Sequence, residues 1–206
     1  MHLLTRRSLL LAAPAVLVST SAWAQLMPTP RSTEGPFYPK ALPADQDNDL
    51  VKVEGAVREA GGDILQLAGR VLDRNGRPIA GSRVEIWQCD AHGVYLHPGD
   101  RRLAQRDVAF QGFGHAVADA DGRFSFRTIV PVPYTGRTPH IHAKVLMNKK
   151  ELLTTQLYRK GFPQNASDSL FRSLSPAEQE RASMVLRRLE EDARATYATE
   201  VTVVIS

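Results

Sequence analysis

The sequence predicts an all-β fold: an antiparallel β-sandwich with an N-terminal arm and one C-terminal surface helix. Two observations carry this prediction. Short segments with apolar residues at alternate positions recur along the chain, and turn-forming pairs such as Asn75-Gly76 and Asp121-Gly122 separate them. Because alternate side chains lie on opposite faces of a strand, each segment can bury one face in a sandwich core.

Six segments are predicted to be strands. They are residues 65–73, residues 82–88, the stretch in which Phe124, Phe126 and Thr128 alternate, and residues 140–147, 152–158 and 200–206. Residues 25–64 are rich in proline, glycine and aspartate, and we expect them to lie as an arm over the sheets. Residues 65–206 are then expected to form one β-sandwich domain.

One helix is predicted before the last strand. Ser175 and Glu178 are spaced as a capping box, and Pro176 stands at the first helical position. From there to about residue 193 most residues are polar or charged, and three apolar ones fall on one stripe: Met184, Val185 and Leu189. We expect a solvated helix on the surface of the sandwich.

The first 24 residues are typical of an export signal. Arg6 and Arg7 precede an apolar run, and the Ala-Trp-Ala sequence at residues 22–24 matches a cleavage site. The mature chain is therefore expected to start at Gln25. We expect an exported protein, periplasmic or secreted, with no membrane span after the signal is removed.

The route of export and the role of the apolar run each have an alternative. The paired arginines favour the twin-arginine route, but the ordinary secretory route stays open because Leu9 stands where that signal usually has phenylalanine. A retained membrane anchor is disfavoured, since the run is shorter than the roughly 20 apolar residues that a spanning helix needs.

Composition excludes some classes of function. Without Arg6 and Arg7 the formal net charge falls from +4 to +2, so there is no strongly basic surface and nothing indicates nucleic-acid binding. Cys89 is the single cysteine, so no disulfide can form within the chain. It follows an apolar strand pattern, and we expect it to be a small buried residue rather than a nucleophile.

Two histidines at the start of one predicted strand give the main indication of chemistry. His140 and His142 would lie on the same face, about 7 Å apart along the chain, with Tyr134 and Arg137 shortly before them. Imidazole binds Zn, Cu, Fe and Ni. A pair of surface histidines is the simpler alternative. A zinc hydrolase is disfavoured, because there is no His-Glu-x-x-His motif and no evident carboxylate base.

Five motifs stand in order along the chain. They are TEGPFYP (33–39), GRVLDRNGRPIAGSRVEIWQCDAHGVYLH (69–97), DGRFSFRTIVPVPY (121–134), RTPHIH (137–142) and LLTTQLY (152–158). Together they resemble the intradiol ring-cleavage dioxygenases, most closely the branch of protocatechuate 3,4-dioxygenase. The resemblance covers about residues 33–158 and, more loosely, the terminal helix and strand.

The resemblance implies a mononuclear non-haem Fe(III) as cofactor. Its protein ligands would be two tyrosines and two histidines: Tyr95, Tyr134, His140 and His142. Tyr134 would also act in catalysis, as the ligand that substrate displaces and that takes a catechol proton. Anionic phenolates suit a ferric ion, whose charge lowers the tyrosine pKa from about 10.

Further residues would contact substrate rather than metal. Arg137 and Gln156 match pocket residues that would stabilise negative charge on the ring. Three residues match a segment that borders the substrate pocket from a neighbouring chain in two-subunit relatives: Gly35, Pro36 and Phe37. His97 matches a position next to the ligands and not a ligand.

The implied activity is cleavage of a catechol-type ring with insertion of both atoms of O2, giving a cis,cis-muconate-type diacid. The partners would be a small catecholic substrate and O2, in a monomer or a homo-oligomer. The alternative is a non-catalytic exported β-sandwich binding module, which residues 69–87 also resemble. Such a module would not need four residues together: Tyr95, Tyr134, Arg137 and Gln156.

Overall fold

The computed structural model describes residues 25–190 and 194–206. These residues form two β-sheets with a hydrophobic core between them, so the predicted all-β sandwich is confirmed. The predicted export signal at residues 1–24 lies outside the described residues.

The first sheet has four strands in the order β4-β1-β9-β8. Their bounds are β1 (Ile64–Leu72), β4 (Arg123–Ile129), β8 (Arg187–Arg188) and β9 (Tyr197–Val204). β1 is antiparallel to β4 and parallel to β9. The sheet is thus mixed rather than wholly antiparallel as predicted, because β9 is antiparallel to its chain neighbour β8 and therefore lies parallel to β1 on its other side.

The second sheet has five strands in the order β3-β2-β5-β6-β7. Their bounds are β2 (Arg83–Trp87), β3 (Phe113–Val117), β5 (His140–Met147), β6 (Lys150–Arg159) and β7 (Ser183–Met184). β5 lies in the middle, antiparallel to β2 and β6, while β7 is parallel to β6. The central strand is the one that carries the two histidines.

All six predicted strands form, and three strands were not predicted: β3, and the two-residue strands β7 and β8, which lie where a helix was expected. β3 escaped prediction because Gly114 and His115 interrupt its apolar pattern. The Asn75-Gly76 turn forms, with Gly76 at φ 78°. After this turn the chain crosses to the second sheet, where β2 forms. The apolar side chains of β2 enter the shared core from the side opposite to those of β1.

The N-terminal arm contributes to the core as well as covering it. Leu50 and Val51 are fully buried against side chains of both sheets, such as Leu67 and Ile86. Asp49 pairs with Arg127 of β4 through a backbone bridge and an ion pair. The arm is therefore fixed at this point to β4, the edge strand of the first sheet.

The predicted C-terminal helix is wrong in its length. The capping box forms as expected, with Glu178 and Ser175 bonding reciprocally, but α2 (Pro176–Arg181) ends at Arg181. The next residues form β7, because the carbonyls of Ala182 and Met184 accept backbone hydrogen bonds from Tyr158 of β6 and from Lys160 just after it. Met184 is fully buried in the core, so burial and sheet pairing outweigh the helical pattern.

The remaining helical elements are short. They are α1 (Ser169–Arg172) and two 3-10 turns, Leu103–Gln105 and Pro163–Ala166. Within residues 25–190 and 194–206, the structure contains no helix that combines the length and the apolar character of a membrane span.

Candidate metal centre

His140 and His142 lie side by side at the start of the central strand. Both side chains are almost fully buried, and Ile141 between them faces the sandwich core. The Nε2 atoms of the two rings are 3.2 Å apart. The prediction that they share one face is confirmed, and the alternative of two surface histidines is wrong.

The environment of both histidines favours the neutral, metal-binding form of imidazole. His140 Nδ1 lies 2.7 Å from the carbonyl oxygen of Thr138, which can only accept, so Nδ1 donates and Nε2 keeps its lone pair. Burial, and then the charge of Arg137, lower the pKa of His140 to about 4. Burial also lowers the pKa of His142 well below its usual value. The strand thus presents two uncharged nitrogen donors.

Tyr95 reaches the same point from the loop that follows β2. Its ring lies 5.0 Å from the Tyr134 ring and 6.2 Å from the His142 ring, between centroids. The phenol is buried, and its oxygen has no hydrogen-bond partner within the described part of the chain. An unpaired buried hydroxyl costs about 1–3 kcal/mol, and a bound cation would remove that cost.

Tyr134 stands on a tight two-residue turn. Its backbone exchanges two hydrogen bonds with Arg137, and the intervening Thr135 and Gly136 have φ values of 34° and 78°. A positive φ is unfavourable for a β-branched residue such as Thr135, and strain of this kind is typical of functional sites. The Tyr134 ring lies 5.6 Å from the His140 ring, so the turn brings the phenol and the guanidinium to the metal position together.

The four side chains fit a hard cation. Burial raises the pKa of Tyr95 well above its usual value, and burial also raises that of Tyr134, although Arg137 opposes this second shift. A cation among them would reverse both shifts and make the phenols anionic ligands. Among the residues described, no group of three or more His, Cys, Asp or Glu side chains could hold a metal. A metal at this point therefore requires the tyrosine oxygens.

Arg137 and Gln156 form a bonded pair beside these donors. Arg137 Nη2 donates to Gln156 Oε1 at 2.7 Å, and Gln156 lies opposite His142 in the β5–β6 register. Gln156 Oε1 also accepts from Tyr158 Oη at 2.9 Å, and Gln156 Nε2 donates to the carbonyl oxygen of Thr33 at 3.0 Å. The Gln156 amide thus connects β6 of the second sheet with the Arg137 guanidinium and with the N-terminal arm.

Residues 33–38 of the arm cover the centre, and they belong to the same chain as the four donor side chains. Phe37 stacks on Tyr95, with ring centroids 4.6 Å apart and planes at 22°. A Cβ atom on Gly35 would lie 3.4 Å from His142 Cε1, so the arm backbone lies directly against the His142 ring. The structure therefore places Gly35 and Phe37, with Pro36 between them, at the site in one chain.

Several contacts of the site were not found from the sequence. Trp87 stacks flat on His142, with centroids 4.7 Å apart and planes at 9°. Lys144 forms an ion pair with Glu34 and lies over the Tyr38 ring. The position of Lys144 near the site could have been predicted, because it follows His142 by two residues and so lies on the same face of the strand.

His97 and Cys89 lie close to the centre without joining the four donors. His97 Nδ1 accepts from the Gly99 amide at 2.9 Å, and its ring meets Phe37 edge-on at 5.7 Å. Cys89 packs with the aromatic residues of the site, and burial raises the pKa of its thiol to about 12. The prediction that Cys89 is a buried apolar residue is confirmed.

Comparison with known proteins gives one family match and several relatives. The family profile described as Dioxygenase matches residues 33–203. The protocatechuate 3,4-dioxygenase beta chain of Burkholderia cepacia is 34% identical over 159 residues, which are 73% of this chain and 68% of that protein. The 6-chlorohydroxyquinol 1,2-dioxygenase of Cupriavidus pinatubonensis is 38% identical over 155 residues. That alignment covers 66% of this chain and 52% of the relative, so this chain spans about half of its length.

Two solved structures share the fold. The dioxygenase domain of a dioxygenase carbohydrate-binding protein fusion from Streptomyces sp. SirexAA-E is 32% identical, with a TM-score of 0.66 over 87% of this chain and 99% of that one. An intradiol ring-cleavage dioxygenase from Tetranychus urticae is 21% identical, with a TM-score of 0.68 over 88% and 95% of the two chains.

Proposed function

The chain belongs to the intradiol ring-cleavage dioxygenase family, and from that premise we propose that it cleaves a catechol-type ring between its two hydroxyl-bearing carbons with O2. The observation that carries the proposal is the convergence of four donors on one point, three of them buried and Tyr134 partly buried: Tyr95, Tyr134, His140 and His142. The reaction inserts both atoms of O2 and gives a cis,cis-muconate-type diacid.

The cofactor we propose is a non-haem Fe(III) held by those four side chains. When bound, ferric iron would coordinate the catechol oxygens and withdraw electron density from the ring, which opens a ring carbon to O2. Two anionic phenolates offset much of the ferric charge, so that little net charge is buried in the sandwich. Two neutral imidazoles complete the set without adding charge.

Tyr134 is the tyrosine that we assign as the displaceable base. It is only partly buried and stands on a strained turn, whereas Tyr95 is enclosed and stacked under Phe37. Tyr134 Oη can therefore move away from the centre and accept one catechol proton, while Tyr95 keeps its position. General base catalysis of this kind contributes about 10²–10⁴-fold to a rate.

Arg137 and Gln156 handle the negative charge that develops on the ring. The guanidinium is held on two edges, by Gln156 at Nη2 and by Asp168 at Nε, so it does not need to reorganise during the reaction. A preorganised cation in a site of low water content stabilises a developing anion far more than it would in water. Phe37, stacked on Tyr95, and Gly35, next to His142, would border the bound substrate and limit the access of water.

The related enzymes indicate the class of substrate. Their names give protocatechuate, catechol and hydroxyquinol as ring-cleavage substrates, which share two adjacent ring hydroxyls. We infer a small catechol-type compound for this chain. Because the arm supplies Gly35 and Phe37 from the same chain, a single copy holds the whole proposed site, and both a monomer and a homo-oligomer are compatible with activity.

The reaction is tested with labelled oxygen. Purified protein is incubated with catechol, protocatechuate or hydroxyquinol under ¹⁸O2, and the products are identified by mass spectrometry. We expect at least one substrate to give a ring-opened diacid that carries both labelled atoms. A product with one labelled atom, or oxidation to a quinone without ring opening, contradicts the proposal.

We also propose that residues 1–24 direct export, by the twin-arginine route, to the periplasm or the medium. The support is the Arg6-Arg7 pair, the apolar run and the small residues before Gln25. Export of a folded protein would allow the metal to be loaded first. N-terminal sequencing of exported protein should return Gln25, and replacing both arginines by lysine should retain the protein in the cell. Exported material that begins at Met1 would contradict the proposal.

A further inference from the structure

Asp168 lies outside the five motifs, and its buried carboxylate bonds to two residues beside the donors. Asp168 follows the second 3-10 turn and caps α1, where its Oδ1 accepts from the Phe171 amide at 2.9 Å. Its other oxygen, Oδ2, accepts from Arg137 Nε at 2.7 Å and from the Thr138 amide at 3.0 Å. The Asp168 side chain has no exposed surface. One carboxylate thus connects a helix end to two consecutive residues of the site.

The bond to Arg137 fixes the direction of the guanidinium. With Nε bonded to Asp168 and Nη2 to Gln156, two edges of the planar group are held and its rotation is blocked. Hydrogen bonding to Asp168 also raises the pKa of Arg137 against the effect of burial. The cation therefore keeps both its charge and its position beside Tyr134.

The bond to Thr138 acts on a metal-binding residue through one peptide. Thr138 donates its amide to Asp168 and accepts from His140 Nδ1 with its carbonyl oxygen. The Thr138 hydroxyl donates to Asn165 at 2.6 Å, from the same segment as Asp168. The orientation of the Thr138 backbone decides which nitrogen of His140 carries the proton, and so which nitrogen offers a lone pair.

We propose that Asp168 is a positioning residue of the site, which orients Arg137 toward the substrate and holds the Thr138 backbone that sets the tautomer of His140. The expected effect on turnover rests on the proposed function. The expected effect on the His140 tautomer does not. Asp168 touches neither substrate nor metal and acts through Arg137 and Thr138. Removal of such supporting contacts typically costs 10–100-fold in metal affinity or activity.

The test compares Asp168→Asn with wild type in the iron-loaded protein. Asparagine can keep the cap on Phe171 but cannot accept from Arg137 and Thr138 with a charged oxygen. We expect kcat and kcat/KM to fall together, about 10–100-fold, because the lost interaction acts on the transition state. In an Arg137→Ala background the same substitution should lower kcat by less than about threefold, since most of its effect passes through Arg137.

A second measurement is independent of activity. ¹⁵N NMR of the imidazole nitrogens in iron-free protein should show His140 protonated at Nδ1 in wild type, and a mixture of tautomers in Asp168→Asn. If wild type cleaves no catechol, the proposed function fails, and the His140 tautomer alone decides the positioning role. If Asp168→Asn does not fold, Asp168→Ser keeps a good helix cap and removes the carboxylate, and the same measurements apply.

Asp107→Asn is the matched control. Asp107 is also buried, pairs with Arg58 and accepts from two backbone amides, those of Gly61 and Ala109, and none of these bonds reaches the centre. We expect this control to lower the unfolding temperature while leaving kcat per bound iron and the His140 tautomer unchanged. If Asp168→Asn lowers the unfolding temperature but leaves kcat and the His140 tautomer unchanged, as the control does, Asp168 is only a helix cap. That result would overturn the proposal.

Discussion

The Nε2 atoms of His140 and His142 face each other at 3.2 Å inside the sandwich. The Thr138 carbonyl holds the proton of His140 on Nδ1, so at least one of the facing atoms carries a lone pair. Two further donors, Tyr95 and Tyr134, stand on the same side. The arrangement has the donor groups of a cation-binding centre.

The two tyrosines should respond differently to loss of the hydroxyl. Tyr95→Phe removes an enclosed ligand and should weaken iron binding and bleach the visible absorption. Tyr134→Phe should keep iron through the other three ligands but lower kcat by about 10²–10⁴-fold, because no ligand remains to accept the catechol proton. Iron content and oxygen uptake of both variants test this. Wild-type turnover in Tyr134→Phe would show that the roles are assigned wrongly.

The iron-free forms of the same variants give an independent check. Tyr95 Oη has no hydrogen-bond partner in the described residues, so Tyr95→Phe should raise the free energy of unfolding of the iron-free protein by about 1 kcal/mol. The more exposed Tyr134 should give a smaller change. Denaturant unfolding measures both. A loss of stability in Tyr95→Phe would mean that the hydroxyl is already satisfied without a metal.

Arg137→Ala should keep iron and colour but lower kcat by about 10²–10³-fold, because the guanidinium acts on the charge of the ring. It should also lower stability, since it leaves Asp168 buried without its partner. Arg123→Ala is the control, because it removes an exposed arginine from β4 and should change neither quantity. Loss of iron from Arg137→Ala with normal turnover per remaining iron would contradict the assignment.

Gly35→Ala should reduce activity through contact with a ligand. Gly35 and Gly55 have nearly the same positive φ, 72° and 78°, so alanine costs about 1–2 kcal/mol of stability at either position. Only at Gly35 does the new methyl group meet the site, at 3.4 Å from His142 Cε1. We expect Gly35→Ala to lower kcat/KM and Gly55→Ala to leave it unchanged. Equal kinetic effects would mean that the arm does not border the pocket.

Acid stability should depend on Asp107. Burial opposes its ionisation, but hydrogen bonds from Arg58, Gly61 and Ala109 outweigh burial and lower its pKa to about 2. Because the folded pKa lies below the unfolded value, the stabilisation is complete above about pH 4 and disappears as the pH falls to about 2. Asp107→Asn should therefore unfold about 2 kcal/mol more easily at pH 7 and match wild type near pH 2. A difference that does not change with pH would contradict this.

The elements that sequence patterns predicted best are those with a strict period. Alternation found six strands and placed His140 and His142 on one face, because a strand offers only two directions for a side chain. Tyr95 and Tyr134 lie on loops, where no period operates, and only the resemblance to a known family pointed to them. Residues 182–190 were predicted as helix because their pattern was helical, although pairing of residues 183–184 with β6 and of residues 187–188 with β9 decided their structure.

Tertiary partners could not be predicted in the same way. Asp168 is separated from Arg137 by 31 residues and reaches it through an irregular segment, so neither spacing nor charge pattern connects them. The same holds for Trp87 against His142, which depends on the register between β2 and β5. Contacts that depend on how loops and strands meet require the three-dimensional structure.

The metal itself is the most direct test of the central claim, that Tyr95, Tyr134, His140 and His142 hold a ferric ion that performs ring cleavage. The measurement is the metal content of the purified wild-type chain together with its visible absorption and its oxygen uptake with a catechol. We predict one iron per chain, a red-brown colour from the ferric tyrosinates, and loss of both colour and activity when the iron is removed. Stoichiometric zinc in place of iron, or a colourless iron-free protein with full activity, would contradict the account.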